Sequence, residues 1–124
     1  MSNLQGPIIK YHFSHCVQNI RNWEDRHLPR SKSYIAYDLF ILLGHTAALE
    51  QPMTLKELFI SLNHSERGVR YVLDQFIDGG WCVVVGNDQD RRFRRVIATE
   101  KLIDRLREYE NFVIEMYSRH LNSV

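Results

Sequence analysis

The chain has 124 residues, of which 44% are hydrophobic, 11% aromatic and 25% charged, and its formal net charge is +1 at pH 7. This composition excludes a disordered or collagen-like chain and predicts one compact domain over residues 1–124 with a buried core. No secretory leader pattern is found in the sequence, and the apolar run at residues 39–43 is far too short to span a bilayer. We therefore expect a cytoplasmic protein with no membrane partner.

Residues 8–28 predict the first helix, because apolar side chains recur there at alternating spacings of four and three. The stripe consists of Ile9, Phe13, Cys16, Ile20, Trp23 and His27. His12, His15 and Cys16 fall at positions i, i+3 and i+4, and they would suit a transition metal if a fourth ligand joined them. The pattern supplies no fourth ligand, so we favour packing of Cys16 in the stripe and predict no metal site. Cys82 falls in a predicted strand and forms no Cys-x-x-Cys pair, so neither a disulfide framework nor a zinc knuckle is predicted. No cofactor is expected.

Residues 33–49 contain Asp38 as their only charged residue, and they predict a buried central helix. Gly44 lies inside this helix. We attribute the glycine to close packing against another helix rather than to a hinge.

A helix, a short turn and a second helix are predicted next. Thr54 and Glu57 match a capping box, in which the two side chains satisfy each other's backbone donors at the start of a short helix. Asn63 is expected to end this helix in a left-handed backbone conformation, which asparagine tolerates. The apolar positions of the short helix are Leu55, Leu58 and Leu62.

The second helix of the pair spans residues 65–78, with Ser65 placed as its N-cap. Its apolar residues fall at i, i+3, i+4, i+7 and i+8 and form one face, which consists of Val69, Val72, Leu73, Phe76 and Ile77. The opposite face is free to meet a partner. It consists of Glu66, Arg67, Gly68, Arg70 and Tyr71.

A β-hairpin is predicted after this helix. Gly79 and Gly80 end the helix, because glycine adopts the positive φ of a helix C′ position without a Cβ penalty. Residues 81–85 and 93–99 are β-branched or aromatic runs, and residues 86–90 between them have the composition of a hairpin turn. The hairpin carries a cluster of arginines, which favours phosphate binding over a merely solvated face. These arginines are Arg91, Arg92, Arg94 and Arg95.

Residues 100–121 predict a last helix, whose apolar stripe repeats the spacing of the first helix. The stripe is Leu102, Leu106, Tyr109, Val113, Met116 and His120. We expect the two stripes to pack against each other. Additional apolar residues leave more surface than that contact covers, so residues 8–28 and 100–121 are predicted to be the dimerisation helices of a homodimer. The additional residues are Ile103, Phe112, Ile114, Tyr117 and Leu121.

Several of these residues match a known family in kind and spacing. They are Thr54-Leu-Lys-Glu-Leu58, Ser65 with Val69, Leu73-Asp74, Gly80, and Asp90-Arg91-Arg92 followed by Thr99-Glu100-Lys101. In these motifs the chain resembles the MarR family of bacterial winged-helix regulators. The resemblance implies a mainly α fold with a small β-hairpin wing. In that fold a winged helix-turn-helix over residues 54–99 stands between N- and C-terminal dimerisation helices.

The resemblance further implies a sequence-specific regulator of transcription, a repressor, that binds double-stranded DNA as a homodimer at a pseudo-palindromic operator. The second helix of the pair would enter the major groove, where Arg67 and Arg70 suit bidentate contacts to guanine. Arg92 would enter a minor groove, oriented by Asp90. Tyr71 would contact a base or phosphate, or would simply cover its helix. The predicted DNA-binding residues are Ser65, Arg67, Gly68, Arg70, Tyr71, Asp90, Arg91, Arg92 and Arg94.

A small-molecule effector is also implied, bound between the first helix, the central helix and the winged domain. Some MarR proteins sense peroxides through a first-helix cysteine near tyrosines of the second helix, a composition that Cys16, Tyr34 and Tyr37 match. The predicted ligand-binding residues are His12, Cys16, Tyr34 and Tyr37. Two alternatives stay open: a redox-sensing regulator that uses Cys16, and a winged helix that binds protein instead of DNA. The sequence has no phosphate loop, nucleophile elbow or metalloprotease helix, so no enzyme is predicted.

Overall fold

The computed structural model describes residues 11–29, 33–86 and 93–120, and within them the chain forms five helices and three strands. In chain order these are α1 (Tyr11–His27), α2 (Tyr34–Leu49), β1 (Met53–Thr54), α3 (Leu55–Ser61), α4 (Glu66–Asp78), β2 (Cys82–Val85), β3 (Arg95–Ala98) and α5 (Glu100–His120). The predicted class, mainly α with a small β-hairpin wing, is confirmed. Among the described helices, none combines the length and apolar character that crossing a bilayer requires.

The sheet has three antiparallel strands in the order β1-β3-β2. The β2–β3 hairpin, here called the wing, pairs Cys82 with Ala98 and closes at Val85 and Arg95, so β3 is shorter than the predicted run at 93–99. Strand β1 is not predicted by the sequence. Met53 pairs with Val96, but a strand of two residues is too short to show the alternation that identifies a strand in a sequence.

The core is built around α2, as the low charge of this segment predicts. Its residues Leu39, Phe40 and Leu43 are almost fully buried. They lie in one buried cluster with residues of α3, β3 and α5 and with the apolar face of α4, which contributes Val69, Val72, Leu73 and Phe76. The fifth predicted member of that face, Ile77, is partly exposed at the end of the helix.

Gly44 allows α2 and α5 to approach closely. A Cβ at this position would overlap Cδ2 of Leu106 on α5, and Leu106 itself packs against the core. The prediction that Gly44 serves helix packing is confirmed.

Helices α1 and α5 pack against each other through aromatic rings, as their two stripes predict. The ring of Trp23 stacks on Tyr109 and on Phe112, each at a centroid distance of 5.5 Å. Phe112 and Tyr117 are partly buried against the core of their own chain, so only part of each side chain remains for the predicted contact with a second copy. Ile114, by contrast, is 57% exposed. The predicted positions Ile9 and Leu121 lie outside the described residues.

The turn between α3 and α4 differs from its prediction. Glu50 is the only non-glycine residue with positive φ in the described ranges, so the predicted left-handed conformation of Asn63 is wrong. The reason is that Leu62, buried and extended, ends α3, and His64 then contacts α2. The capping box is confirmed: Thr54 Oγ1 accepts a hydrogen bond from the Glu57 backbone at 3.1 Å, and Glu57 Oε1 accepts one from the Thr54 backbone at 3.0 Å.

Candidate nucleic-acid interface

Helix α4 presents a polar face to solvent because its opposite face is buried in the core. The N-cap is Ser65, whose Oγ accepts a hydrogen bond from the Gly68 backbone at 3.1 Å. Arg67, Arg70 and Tyr71 are exposed on the helix turns that follow. Four of the predicted DNA-binding residues therefore share one surface at the start of α4.

Gly68, the fifth predicted DNA-binding residue of α4, is only partly exposed, and its contact with DNA stays a prediction. A Cβ at Gly68 would lie 2.8 Å from Cδ1 of Ile35, so the residue faces α2. Its backbone N–H is already used by the Ser65 cap. Gly68 therefore lets α4 start in close contact with α2, a role that its position among polar neighbours conceals in the sequence.

The two arginines of this face have different surroundings. The guanidinium carbon of Arg70 lies 4.9 Å from the centre of the Phe59 ring, and Nη2 lies 3.6 Å from a carboxylate oxygen of Glu66. Arg67 is exposed and forms no hydrogen bond or ion pair with any other described residue. Both can meet a partner, but Arg70 must first leave the Phe59 ring.

The C-terminal end of α4 is fixed by residues at the start of α5. The hydroxyl of Thr99 donates to the Gly80 carbonyl at 2.6 Å, and Nζ of Lys101 donates to the Gly79 carbonyl at 2.7 Å. The same ammonium lies 4.3 Å from the centre of the Trp81 ring. A cation at a helix C-terminus donates hydrogen bonds to the last carbonyls of the helix and interacts favourably with the negative end of the helix dipole. The Thr99-Glu100-Lys101 motif thus holds α4 in place, a role that the sequence spacing alone does not reveal.

The base of the wing is tied to α3. The Arg94 carbonyl accepts a hydrogen bond from the Leu55 backbone at 3.1 Å. Gly86 has φ of 143°, and a Cβ there would lie 2.9 Å from Cα of Arg94, so glycine is needed for the two limbs to approach. Asp90, Arg91 and Arg92 lie outside the described residues, and their roles stay predictions.

A groove of about 540 Å³ joins the wing to the helix-turn-helix. Among its lining side chains are three cations, Lys56, Arg70 and Arg94. One anion, Glu66, lines it as well, and the exposed Ile60 contributes an apolar patch. The clustering of cations predicted from the sequence therefore involves α3 as well as α4 and the wing, which suits an anionic partner better than the overall charge suggests.

A second cavity, of about 600 Å³, lies between α1 and α2, and we call it the α1–α2 cavity. It is lined by Arg21, Glu24, Asp25, Ser33, Tyr34, Tyr37 and Asp38. Tyr34 and Tyr37, both predicted ligand-binding residues, do line it. Neither His12 nor Cys16 is among the lining residues, and Cys16 is fully buried in the core. The structure therefore brings Tyr34 and Tyr37 together at this cavity but not His12 or Cys16, and a ligand site here stays a prediction.

A chain of hydroxyl groups runs beside the α1–α2 cavity. The Tyr37 and Tyr109 hydroxyl oxygens are 3.1 Å apart, and the Tyr109 hydroxyl donates to the Glu24 carboxylate. Burial, followed by the hydrogen bond to Glu24, raises the pKa of Tyr109 well above its usual range. Tyr109 therefore stays protonated and works as a donor that links α5 to α1.

Both cysteines are expected to be unreactive in the folded protein. Cys16 is fully buried and therefore inaccessible to reagents. Burial raises the pKa of the Cys82 thiol to about 12, so almost no Cys82 thiolate forms at neutral pH. We expect a disulfide reagent to titrate no thiol in the native chain at neutral pH and two thiols after unfolding in guanidinium. Rapid modification of Cys16 in the native chain would instead support the redox-sensing alternative.

The three residues that would suit a transition metal, His12, His15 and Cys16, all lie on α1. Within residues 11–29, 33–86 and 93–120, no three histidine, cysteine, aspartate or glutamate side chains converge on one point. Fold and surface together define a winged helix-turn-helix protein with an arginine-bearing face on its second motif helix.

No model of a protein family matches this sequence, and no curated protein matches it. Solved structures do match. MepR, a transcription regulator of the Staphylococcus aureus multidrug efflux pump MepA, has a TM-score of 0.63 at 14% identity, over 94% of this chain and 85% of that chain. The heme sensor protein PefR from Streptococcus agalactiae has a TM-score of 0.60 at 17% identity, over 87% and 75%. The organohalide-sensing transcriptional regulator RdhR has a TM-score of 0.57 at 15% identity, over 97% and 76%.

These three proteins are MarR-family winged-helix transcription regulators. Because the sequence identities are so low, the likeness shows only that this chain has the same fold as these proteins. The fold implied by the resemblance of the motifs, a winged helix-turn-helix between N- and C-terminal helices, is therefore confirmed.

Proposed function

We propose that this chain is a MarR-type regulator of transcription that binds double-stranded DNA. The observation that carries the proposal is the outward face of α4, where Ser65, Arg67, Arg70 and Tyr71 stand beside the wing while the other face is locked in the core. A helix held in this way enters a major groove with its N-terminal residues toward the bases. The wing then follows the backbone, with Arg92 in a minor groove and Asp90 beside it.

The proposed regulator is a homodimer. Apolar side chains remain exposed on both terminal helices, notably Phe13, Val17 and Ile114. A second copy would cover them and would place two α4 helices in successive major grooves, about 34–36 Å apart. The operator would then be a pseudo-palindrome.

The α1–α2 cavity is the proposed effector site. Each of the three neighbours has been solved with a bound aromatic compound: MepR with ethidium, PefR with heme and RdhR with 2,4-dichlorophenol. In this chain Tyr34 and Tyr37 offer two rings to a comparable ligand. We propose that a small aromatic effector binds there and that the regulator is a repressor in the cytoplasm.

DNA selection tests the proposal directly. The purified full chain is incubated with random duplex fragments, and the retained fragments are sequenced. We expect a pseudo-palindromic consensus whose binding weakens steeply with added salt, because phosphate contacts release counterions. A winged helix that binds protein would retain no consensus, and its apolar interface would respond weakly to salt.

The wing arginine is expected to contribute mainly through charge. Arg92→Ala should weaken binding to every sequence and reduce the slope of log affinity against log salt by about 0.9 for each phosphate that the side chain neutralises. A salt titration of binding measures both quantities. The matched control is Arg107→Ala, which removes an exposed arginine of α5 outside the proposed interface. Equal slopes for Arg92→Ala and the unmodified chain would refute the role of the wing.

A further inference from the structure

The carboxylate of Asp38 contacts both the α1–α2 cavity and the turn of the helix-turn-helix. It lines the α1–α2 cavity, and its Oδ2 atom lies 2.7 Å from Nε2 of His64 in the turn between α3 and α4. A carboxylate only accepts hydrogen bonds, so Nε2 of His64 carries the proton and donates. The Asp38 side chain is 49% exposed, which leaves it accessible to a molecule in the cavity.

The Glu24 carboxylate, which lines the same cavity, has no such link. The Glu24 side chain is 13% exposed, lies 3.5 Å from Nε of Arg21, and accepts the hydroxyl of Tyr109. These partners belong to α1 and α5. Of these two carboxylates, therefore, only Asp38 contacts the helix-turn-helix.

The turn that holds His64 sets the start of α4. His64 precedes the Ser65 cap, and Arg67 follows within the first helical turn. Helix α2 packs against α4, and its contacts with this region include an apolar one of Ile35 with Gly68 and a polar one of Asp38 with His64. A molecule in the cavity can compete for the polar contact but not for the apolar one, which is formed by close packing.

We propose that Asp38 couples the α1–α2 cavity to the helix-turn-helix, and that the occupant able to use this coupling carries an amine or another cationic hydrogen-bond donor. Such a group pairs with Asp38 and replaces His64, so the turn loses its polar support and DNA affinity falls. The inference rests on the proposed function for its DNA readout. A ligand shifts an equilibrium only through its different affinities for the two states, and here the difference lies in access to one carboxylate.

A tethered charge provides the test without an identified ligand. Tyr34 lines the cavity, is 79% exposed and precedes Asp38 by one helical turn, so Tyr34→Cys places a reactive thiol beside the carboxylate. The buried Cys16 and Cys82 are protected from reagent. The thiol is modified in parallel with an aminoethyl, a methyl or a sulfonatoethyl methanethiosulfonate, of which only the first adds a cationic hydrogen-bond donor. The reference is unlabelled Tyr34→Cys.

The cationic label is expected to weaken DNA binding about two- to fivefold, the range of a partly exposed ion pair, while the methyl and sulfonate labels leave it unchanged. A loss of DNA affinity is informative, because a positive charge added to the protein would otherwise strengthen its binding to DNA. The loss should disappear in the Asp38→Asn background. It should also be absent when the same label is placed at Leu49→Cys, an exposed position at the far end of α2.

Amide hydrogen exchange of residues 62–65 gives a second readout that needs no DNA. The cationic label should accelerate exchange there, and the other labels should not. Equal effects of all three labels, or no effect of any, would overturn the coupling. Failure of the unlabelled chain to bind any duplex would overturn the proposed function instead, and the exchange data would still decide the inference.

Discussion

A chain truncated after Glu108 is expected to aggregate rather than to form a soluble monomer. The removed half of α5 contributes Tyr109 and Met116 to the core, together with Phe112, which stacks on Trp23. Without these side chains, the apolar stripe of α1 faces water, and a stripe of this size promotes association. The soluble fraction after expression and static light scattering measure the outcome.

Two point variants on neighbouring positions of α5 separate folding from dimerisation. Met116→Ala should lower the free energy of unfolding by about 2–5 kcal/mol, because Met116 is buried in its own chain. Ile114→Ala should change the unfolding free energy of a protomer by less than about 0.5 kcal/mol but weaken the dimer, since Ile114 is exposed in the single chain. A truncated chain that stays soluble with native helicity, or an intact chain that is monomeric at micromolar concentration, would contradict this view of the terminal helices.

Features fixed by short-range chemistry can be predicted from the sequence. The capping box of Thr54 and Glu57, the Ser65 cap and the end of α4 at two glycines all depend on residues within four positions of one another. The apolar faces of α4 and α5 follow from helical periodicity in the same way. The sequence therefore predicts these elements close to their observed bounds.

Features that depend on contacts between distant segments cannot be predicted in this way. Asp38 and His64 are 26 residues apart, and nothing in either neighbourhood indicates that they meet. Gly68 lies among polar neighbours, so only the packing of Ile35 reveals that it faces inward. Phe112 is indistinguishable in the sequence from an interface residue until Trp23 is placed beneath it. Periodicity identifies which residues are apolar, but not which neighbour covers them.

Some residues of the candidate interface can be predicted from the sequence, and others cannot. Sequence composition is sufficient to select Arg67, Arg70 and Tyr71, since exposure on a helix follows from burial of the opposite face. The contribution of Lys56 on α3 and the anchoring of α4 by Lys101 require the structure, because both depend on how separate elements pack.

Arg67 is expected to determine sequence preference more strongly than Arg70. If Arg67 forms a bidentate contact to guanine, Arg67→Ala should cost about 1–3 kcal/mol at one position of each half-site and leave other positions unchanged. Arg70 must first leave the Phe59 ring, at a cost of about 0.5–1 kcal/mol. Arg70→Ala should therefore lose less binding free energy than Arg67→Ala, by about that amount. Binding to a panel of operators with single base substitutions measures both variants.

Arg67→Lys is the matched control for this expectation. Lysine keeps the positive charge but lacks the planar fork, so the variant should retain the salt dependence of the unmodified chain while losing preference at the same base position. Arg67→Ala should lose the preference at that base position and should also show a weaker salt dependence. If Arg67→Lys binds every operator as tightly as the unmodified chain does, or if Arg67→Ala weakens all operators equally, then Arg67 contacts phosphate, and base reading by the first turn of α4 is wrong.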